Sequence, residues 1–509
     1  MEYEPVIGLE VHTELKTRTK MFCDSLNDPD EKHPNVNICP ICLGHPGTLP
    51  TINKTAVEKV ILVGMALSAE IPEFSQFDRK NYFYPDLPKG YQISQYQHPF
   101  VKGGYLEFTT SSGVRHIRIT RVHLEEDTGR LIHVSRTMNS ESRDKDSSFK
   151  VQDVSLVDFN RSGVPLMELV TEPDMRSSEE ARRFAEELQL IIRYVGASDA
   201  DMEKGQMRVE ANVSLRLKGT KELGTKVELK NINSFKFVEK AIEYEIKRQT
   251  EVLARGERVV QETRGWDDTR GVTVSQRLKE GATDYRYFPE PDLPPLVLDQ
   301  AWIREIRAKL PELPKEKRAR FAAEYGLDEK TVELFVRDAA LSGYFESVIS
   351  ELEVWITSKV GSVDRPRAIK LVANYLTVDF QKLLNETLSP VKDVLVTPEN
   401  FAELITYVYE GSVSSTAAKE TLTEMFKTGK EPDVVIQERG LAQESSREAL
   451  GDVIRRVIQE NSAIVESVKQ GKGSALQALV GAAMKASGGK GNPMVLREML
   501  EEALGKESA

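Results

Sequence analysis

Residues 6–15 alternate apolar and polar side chains, the pattern of a β-strand with one buried face. The apolar side carries Ile7, Leu9, Val11 and Leu15. Glu10, His12 and Glu14 fall on the other side. Buried carboxylates are costly without partners, and a divalent metal ion or a cationic ligand is a natural compensation. The pattern therefore fits either a solvated strand edge or one wall of a binding site.

The alternation recurs in two later segments. In residues 207–216 the polar side carries Arg208, Glu210, Asn212, Ser214 and Arg216. Residues 226–231 repeat the arrangement, with Glu228 between two lysines. Several strands that turn polar faces the same way predict the floor of a cleft.

A further polar-faced strand is predicted over residues 115–127, where His123, Glu125 and Asp127 share a side. The apolar positions change parity between Ile119 and Val122. One extra residue in a strand produces such a change, so we expect a β-bulge near Thr120 and Arg121.

Helical spacing of apolar residues predicts helices over 55–69, 178–195 and 235–254 among these strands. Six prolines between positions 289 and 314 predict a boundary without regular structure. Beyond it the patterns are helical. We therefore predict an α+β protein with a large cradle domain on an antiparallel sheet (1–292), a helical domain (293–407) and a small helical tail domain (408–509).

The composition, with 40% hydrophobic and 29% charged residues over 509 positions, is that of a globular chain with more than one core. Its most apolar stretch, residues 57–67, is too short to span a bilayer, so we expect a cytoplasmic protein. The net charge of −11 opposes long-range attraction of nucleic acid but permits a local basic surface. The sequence contains neither a P-loop nor a Rossmann glycine motif, and no nucleophile elbow.

Residues 79–95 combine polar aromatics, prolines and cations without a core pattern. A stiff loop of this kind can present Lys80 and Lys89 to a phosphate, or a tyrosine to a planar base. An exposed Pro-Gly turn with solvated lysines explains the composition equally well.

Several long motifs resemble the B-subunit family of the bacterial glutamyl/aspartyl-tRNA amidotransferases, the GatB/GatE family. They are residues 8–12, 81–95, 124–129, 158–166, 206–214, 228–235 and 262–266. Residues 479–481 and 491–493 resemble landmarks of a YqeY-like tail. The likeness is colinear and runs through the whole chain.

The resemblance implies a reaction. Members of this family phosphorylate the side-chain carboxylate of glutamate or aspartate mischarged on tRNA(Gln) or tRNA(Asn), using ATP and Mg²⁺, and ammonia then displaces the phosphate. A partner amidase, the A-subunit, releases the ammonia from glutamine, and a small C-subunit completes the heterotrimer. A non-catalytic tRNA-binding scaffold with a degenerate cleft, and a metal-dependent hydrolase acting without ATP, are the alternatives.

The resemblance also implies roles for residues. Glu10, His12, Glu125 and Glu210 are the family-like Mg²⁺ ligands, and the first three are the candidate catalytic residues. Lys80 and Lys89 are candidate phosphate partners, and Asn231 and Asn233 are candidate polar contacts to the nucleotide. Lys469, Lys472, Lys485 and Lys490 give the tail a basic surface for tRNA phosphates, or a solvated helix face.

Cys23, Cys39 and Cys42 resemble part of a zinc site. A closed structural zinc site needs four ligands, and Ser25 stands where many relatives carry a cysteine. His33 or His45 could substitute. Given the missing thiolate, we expect a zinc-free loop.

Overall fold

The computed structural model describes residues 2–138, 150–278, 285–358, 363–443, 446–469 and 473–505. The chain divides into two compact units, Met1–Pro314 and Lys315–Ala509. Within the described residues, every strand lies in the first unit, while the second unit is helical. This confirms the predicted α+β class. The three-domain division remains a prediction.

The strands, numbered along the chain, are β1 (Tyr3–Glu14), β2 (Phe74–Ser75), β3 (Asp78–Asn81), β4 (Tyr91–Ser94), β5 (Val101–Lys102), β6 (Tyr105–Thr110), β7 (Gly113–Glu126), β8 (Arg130–Met138), β9 (Lys150–Asp158), β10 (Pro165–Thr171), β11 (Met207–Leu217), β12 (Val227–Lys230), β13 (Glu262–Asp267), β14 (Val272–Leu278), β15 (Phe288–Pro289) and β16 (Leu296–Val297).

The helices of the first unit are α1 (Lys54–Ala66), α2 (Ser178–Tyr194), α3 (Phe235–Ala254) and α4 (Gln300–Arg307). Those of the second are α5 (Pro314–Tyr325), which begins at the last residue of the first unit, α6 (Glu329–Arg337), α7 (Ala339–Ser358), α8 (Arg365–Asn374), α9 (Gln381–Thr387), α10 (Pro398–Tyr409), α11 (Ser415–Thr428), α12 (Pro432–Arg439), α13 (Arg447–Glu460), α14 (Ser462–Lys469), α15 (Gly473–Ala486) and α16 (Pro493–Ala503). A π-helical segment, Tyr375–Phe380, joins α8 to α9.

The main sheet has the strand order β14-β13-β12-β11-β1-β10-β7-β5, and β6 also pairs with β7. Strand β1 lies inside it, antiparallel to β11 on one side and to β10 on the other. The register places Glu10 opposite Glu210 and His12 opposite Glu168. Residues directly opposite each other share a face, so the predicted polar faces do combine into one surface.

The predicted bulge is confirmed on β7. Arg121 pairs with Val170, whereas the next pair joins Ile119 to Thr171, so Thr120 is the extra residue. The insertion switches the side on which the following residues point. His123 and Glu125 consequently reach the polar face of the sheet.

Helices α1, α2 and α3 pack against the apolar face of the sheet. Ile7, Leu9 and Val11 of β1 belong to the same buried cluster as residues from all three helices. The Ser177 hydroxyl accepts a hydrogen bond from the Glu180 backbone N–H and so caps α2. With one face covered by helices, the opposite face is left to form the cleft.

A small sheet of order β15-β3-β4 adjoins the end of β7. The Ser94 hydroxyl donates to Glu125 Oε2 at 3.0 Å, and the Ile93 backbone N–H donates to Glu126 Oε1 at 2.9 Å. These bonds hold the polar loop of residues 79–95 against the cleft.

The proline-rich stretch does contain regular structure, so that expectation is wrong. Helix α4 fits between Pro295 and Pro311, and its Ile303 and Ile306 are buried in the core of the first unit. Its indole Trp302 Nε1 donates to Glu58 Oε1 at 3.2 Å. The prolines flank a helix here instead of excluding one.

The last four helices of the second unit, α13 to α16, share their own apolar cluster, which includes Leu450, Leu479 and Leu500. In the part of the chain that the structure describes, no helix combines the length and apolar character needed to cross a membrane.

Replacing Phe184 of α2 with alanine should destabilise the first unit by about 3–5 kcal/mol, because the ring is fully buried and meets Phe108 edge-on at 6.1 Å. The midpoint of urea denaturation, followed by circular dichroism, measures the effect. Phe83→Ala removes a ring that is 81% exposed and is the matched control. Equal midpoints for the two variants would contradict the packing assigned to α2.

Candidate functional site

The polar face of the main sheet holds two neighbouring clusters of potential metal ligands. Glu10, Glu210 and Glu228 have carboxylate oxygens within 4.8 Å of one another, and we call them the carboxylate triad. The ligand atoms of His12, Glu125 and Glu168 lie equally close together. Together with His123, these three form the histidine cluster. The structure thus divides the four predicted Mg²⁺ ligands into two pairs and adds a carboxylate to each pair.

The carboxylate triad is fixed by neighbouring polar side chains. Asn212 Nδ2 donates to Glu10 Oε1 at 2.8 Å, and Thr263 Oγ1 donates to Glu228 Oε2 at 2.7 Å. Lys230 Nζ lies 2.8 Å from Glu210 Oε2 and 3.6 Å from Glu228 Oε1. Burial alone would lower the pKa of Lys230, but Glu210 and Glu228 raise it above its ordinary value. The lysine therefore remains a cation among three carboxylates.

The donor set of the triad suits a hard divalent cation, because every candidate ligand is an oxygen. Asn212 also indicates a cation site, because within the described structure its Oδ1 atom is buried and has no hydrogen-bond partner. A buried carbonyl oxygen without a partner can serve as one more oxygen ligand for such an ion. The residues present therefore fit Mg²⁺.

The histidine cluster is more deeply buried. Glu168 Oε2 lies 3.3 Å from both His12 Nε2 and His123 Nε2, and His123 Nε2 is 3.8 Å from Glu125 Oε2. Burial would lower the pKa of His12, yet Glu168, together with Glu125 and Glu210, raises that pKa to about 9. Burial would likewise raise the pKa of Glu168, but the two imidazoles hold it well below its ordinary value.

The two candidate phosphate lysines lie in different surroundings. Lys80 Nζ is 5.2 Å from the ring centre of Tyr285, and the charges of Glu125 and Glu168 raise the pKa of Lys80 against the effect of its burial. Lys89 Nζ instead forms contacts of 2.5 and 2.6 Å with the carboxylate of Glu126. Lys80 therefore lies within electrostatic reach of the histidine cluster, whereas Lys89 is paired with Glu126.

Asn231 and Asn233 lie in the loop that follows β12, directly after Glu228 and Lys230. Both are exposed, and Asn231 has a φ of 61°, in the left-handed region that asparagine tolerates better than most residues. The loop leads into α3, whose N-terminus is capped by the Ser234 hydroxyl. Asn231 directly follows Lys230, which contacts two carboxylates of the triad, and Asn233 lies two residues further along the loop.

Glu14 lies on the polar face of β1, but its charged neighbours are Asp127, Arg161 and Arg208 instead of either metal-ligand cluster. Burial and the hydrogen-bonded Asp127 raise the pKa of Glu14 to about 7. Arg208 Nη2 lies 3.0 Å from Asp127 Oδ2 and stabilises the charge of that carboxylate. These residues form a separate ionic group at the end of β1.

The cysteines lie together as predicted, with the sulfur atoms of Cys23, Cys39 and Cys42 within 4.8 Å of one another. Within the described residues, no fourth Cys, His, Asp or Glu completes this group. Lys20, which is 0% exposed, places its Nζ 3.7 Å from Cys42 Sγ. A hydrogen bond from Cys23 lowers the pKa of Cys42 to about 4, with a further contribution from Lys20, although burial opposes the shift.

The cysteine group does not fit a closed structural zinc site, which needs four ligands around one ion. His33 is exposed and its Nδ1 is 2.9 Å from Glu31 Oε1, and His45 is also exposed. Ser25 interacts with Cys23 and offers a hydroxyl where a fourth thiol would be needed. The group beside the sulfur of Cys42 is the buried amine of Lys20, whose pKa is lowered by burial although the cysteines oppose the shift.

Glu168 and Glu228 are not among the ligands predicted from the sequence. Strand β10 has apolar residues on both faces, so the alternation that revealed β1 and β11 is missing around Glu168. Glu228 did lie on a predicted polar face between two lysines, and that pattern was the available signal.

Comparison with known proteins follows the same division of the chain. The family model of the GatB/GatE catalytic domain matches residues 5–304, and that of the GatB domain matches residues 361–504. A protein of Thermoanaerobacter pseudethanolicus is 46% identical over 506 residues, covering 99% of this chain and 100% of the relative. Proteins of Caldicellulosiruptor saccharolyticus (46% identical, 99% of this chain and 100% of the relative) and of a Roseiflexus species (45% identical, 100% of both) are similar over their full lengths.

These three relatives are named as the B-subunit of aspartyl/glutamyl-tRNA(Asn/Gln) amidotransferase. The resemblance found in the motifs is thereby confirmed. The identity extends over nearly the whole chain and covers both family domains. The chain belongs to the GatB/GatE family.

Proposed function

We propose that this chain is the B-subunit of a tRNA-dependent amidotransferase and carries out its ATP-dependent step. A phosphoryl group passes from ATP to the side-chain carboxylate of glutamate or aspartate esterified to tRNA(Gln) or tRNA(Asn). Ammonia then displaces the phosphate to give the amide. The observation that carries this proposal is the polar sheet face, where the carboxylate triad lies beside the histidine cluster and Lys80.

Phosphoryl transfer between two anions depends mainly on positioning and charge neutralisation. Glu10, Glu210 and Glu228 would hold Mg²⁺ with Asn212 Oδ1, and His12 and Glu125 lie beside them on the same face. When bound, Mg²⁺ supplies the positive charge that neutralises the phosphate oxygens.

Cationic side chains of the protein would add to the charge neutralisation by Mg²⁺. Lys80 is the better candidate for a phosphate partner, because Lys89 is already paired with Glu126. Glu168 orients His12 and His123 through its two contacts of 3.3 Å. Asn231 and Asn233, which are exposed in the loop after β12, would contact the rest of the nucleotide.

The reaction needs a source of ammonia, and the relatives' names describe each of them as one part of a larger enzyme. We infer a partner amidase, the A-subunit, which hydrolyses glutamine, and a small C-subunit that holds the other two together. Because an acyl phosphate is quickly lost to water, ammonia should reach it by a shielded path. The assembly would act in the cytoplasm, where its tRNA substrates are.

Glu228→Gln and Glu168→Gln should each lower ATP-dependent amide formation roughly hundredfold, because each removes one of the charges that organise the site. The assay uses the chain co-expressed with its partner subunits and each mischarged tRNA. Glu203→Gln, at an exposed turn, is the control. Activity within about twofold of wild type in both test variants would show that the added carboxylates have no role.

Elemental analysis of the purified full-length chain should find far less than one equivalent of zinc. The three cysteines have no fourth ligand among the described residues, and the buried amine of Lys20 lies beside them. Ser25→Cys restores the fourth thiol and is the matched comparison. One bound equivalent in the unmodified protein would refute the zinc-free loop.

The tail should contribute to tRNA binding through its lysines. Lys485 and Lys490 are exposed, whereas Lys472 and the side chain of Lys469 lie outside the described residues. Replacing Lys485 and Lys490 with alanine should weaken tRNA binding. The plot of log K against log salt should also become less steep, by about 0.7–0.9 in slope for each lost phosphate contact. ATP hydrolysis without tRNA should be unchanged.

The control for the tail is Lys430→Ala, since Lys430 is already paired with Glu438 at 2.7 Å. An unchanged salt slope in the double variant, measured by fluorescence anisotropy of labelled tRNA, would argue against a tRNA contact at these two lysines.

A further inference from the structure

Five tyrosines from three chain segments form one continuous aromatic surface beside Lys80. They are Tyr82 and Tyr84 after β3, Tyr96 after β4, and Tyr285 and Tyr287 before β15, and we call them the tyrosine platform. Tyr96 stacks on Tyr287 with ring centres 4.5 Å apart and planes 10° from parallel. The other neighbours meet edge-on at 5.9–6.1 Å, which links all five rings.

The backbone that presents two of these rings is held in an unusual conformation. Arg286, between Tyr285 and Tyr287, has a φ of 44°, which is uncommon for a residue other than glycine. The Asn81 backbone N–H donates to the Tyr285 carbonyl at 2.9 Å, and its side-chain amide donates to the Arg286 carbonyl at 2.9 Å. Conformations of this kind are retained where the surroundings determine them strongly, often at ligand sites.

The platform is open to solvent on one side. Tyr84 is 56% exposed and Tyr96 is 51% exposed, so ring surface is left uncovered. A cluster serving only stability would bury its rings, because burial provides the favourable free energy. Exposed aromatic surface of this kind is typical of interaction sites.

The other side of the platform adjoins the charged site. Lys80 Nζ lies 5.2 Å from the ring centre of Tyr285 and 5.9 Å from that of Tyr82. The same lysine is influenced electrostatically by Glu125 and Glu168. A group stacked on the platform would therefore lie close to the histidine cluster.

We propose that the tyrosine platform stacks the base of the 3′-terminal nucleotide of the tRNA; this inference rests on the proposed function. The carboxylate to be phosphorylated belongs to an amino acid esterified to that terminal ribose. The terminal base must therefore stay near the phosphoryl-transfer site. Single-stranded RNA ends are bound by stacking on aromatic side chains. Bases of small nucleotides are generally enclosed in pockets, so an open aromatic surface favours the RNA end over ATP.

The test compares two RNAs on the complete complex: uncharged substrate tRNA, and the same tRNA without its terminal adenosine. The double variant Tyr84→Ala/Tyr96→Ala should bind the intact tRNA about tenfold more weakly, the size of loss expected for one stacked base. It should bind the truncated tRNA as well as the unmodified complex does. Tyr84→Phe/Tyr96→Phe keeps both ring faces and should bind both RNAs normally.

Tyr105→Ala is the matched control, because Tyr105 is an exposed tyrosine stacked on His116, outside the platform. Equal weakening for both RNAs, no weakening, or a raised KM for ATP with unchanged tRNA binding would each overturn the proposal. The binding comparison does not require turnover. A complex that binds the two RNAs as expected but forms no amide would therefore contradict the proposed function while supporting the platform.

Discussion

The electrostatic cost of gathering carboxylates on one face of a sheet is the constraint on which the rest of the cleft depends. Glu10, Glu210 and Glu228 approach within 4.8 Å of one another, a distance at which like charges repel strongly when partly desolvated. Lys230 offsets part of this repulsion. The rest of the negative charge stays on the polar face, where Asn212 Nδ2 donates to Glu10 and Asn212 Oδ1 is buried without a hydrogen-bond partner among the described residues.

The register of β1 with its two neighbours creates both clusters. A slip of one residue would turn Glu10 and His12 into the apolar core. The burial of the apolar face under the helices therefore also determines which side chains lie on the polar face. On β7 the register alone would be insufficient, because the parity changes at Thr120. The bulge brings His123 and Glu125 to the correct side, which shows how a local irregularity can serve a site.

Sequence patterns predicted the polar faces of β1, β7, β11 and β12, because each of those strands has one face buried and the other polar. They could not predict Glu168, since β10 carries apolar residues on both sides. The sequence patterns also could not show which of Lys80 and Lys89 is paired with a carboxylate. That difference depends on Glu126, whose carboxylate takes up Lys89, and such a contact is set by the tertiary structure. The helix inside the proline-rich stretch was missed for a related reason: prolines restrict where a helix begins and ends but not what lies between them.

The electrostatic cost of gathering like charges is offset differently at the cysteine loop. Thiolates near one another would also repel. Here Lys20 is fully buried and lies 3.7 Å from Cys42 Sγ, while Ser25 offers a neutral hydroxyl in place of the fourth thiol. The Lys20 side chain beside the Cys42 sulfur balances charge across this one pair. A neighbouring lysine therefore offsets the charge of Cys42, as Lys230 offsets part of the charge of the carboxylate triad.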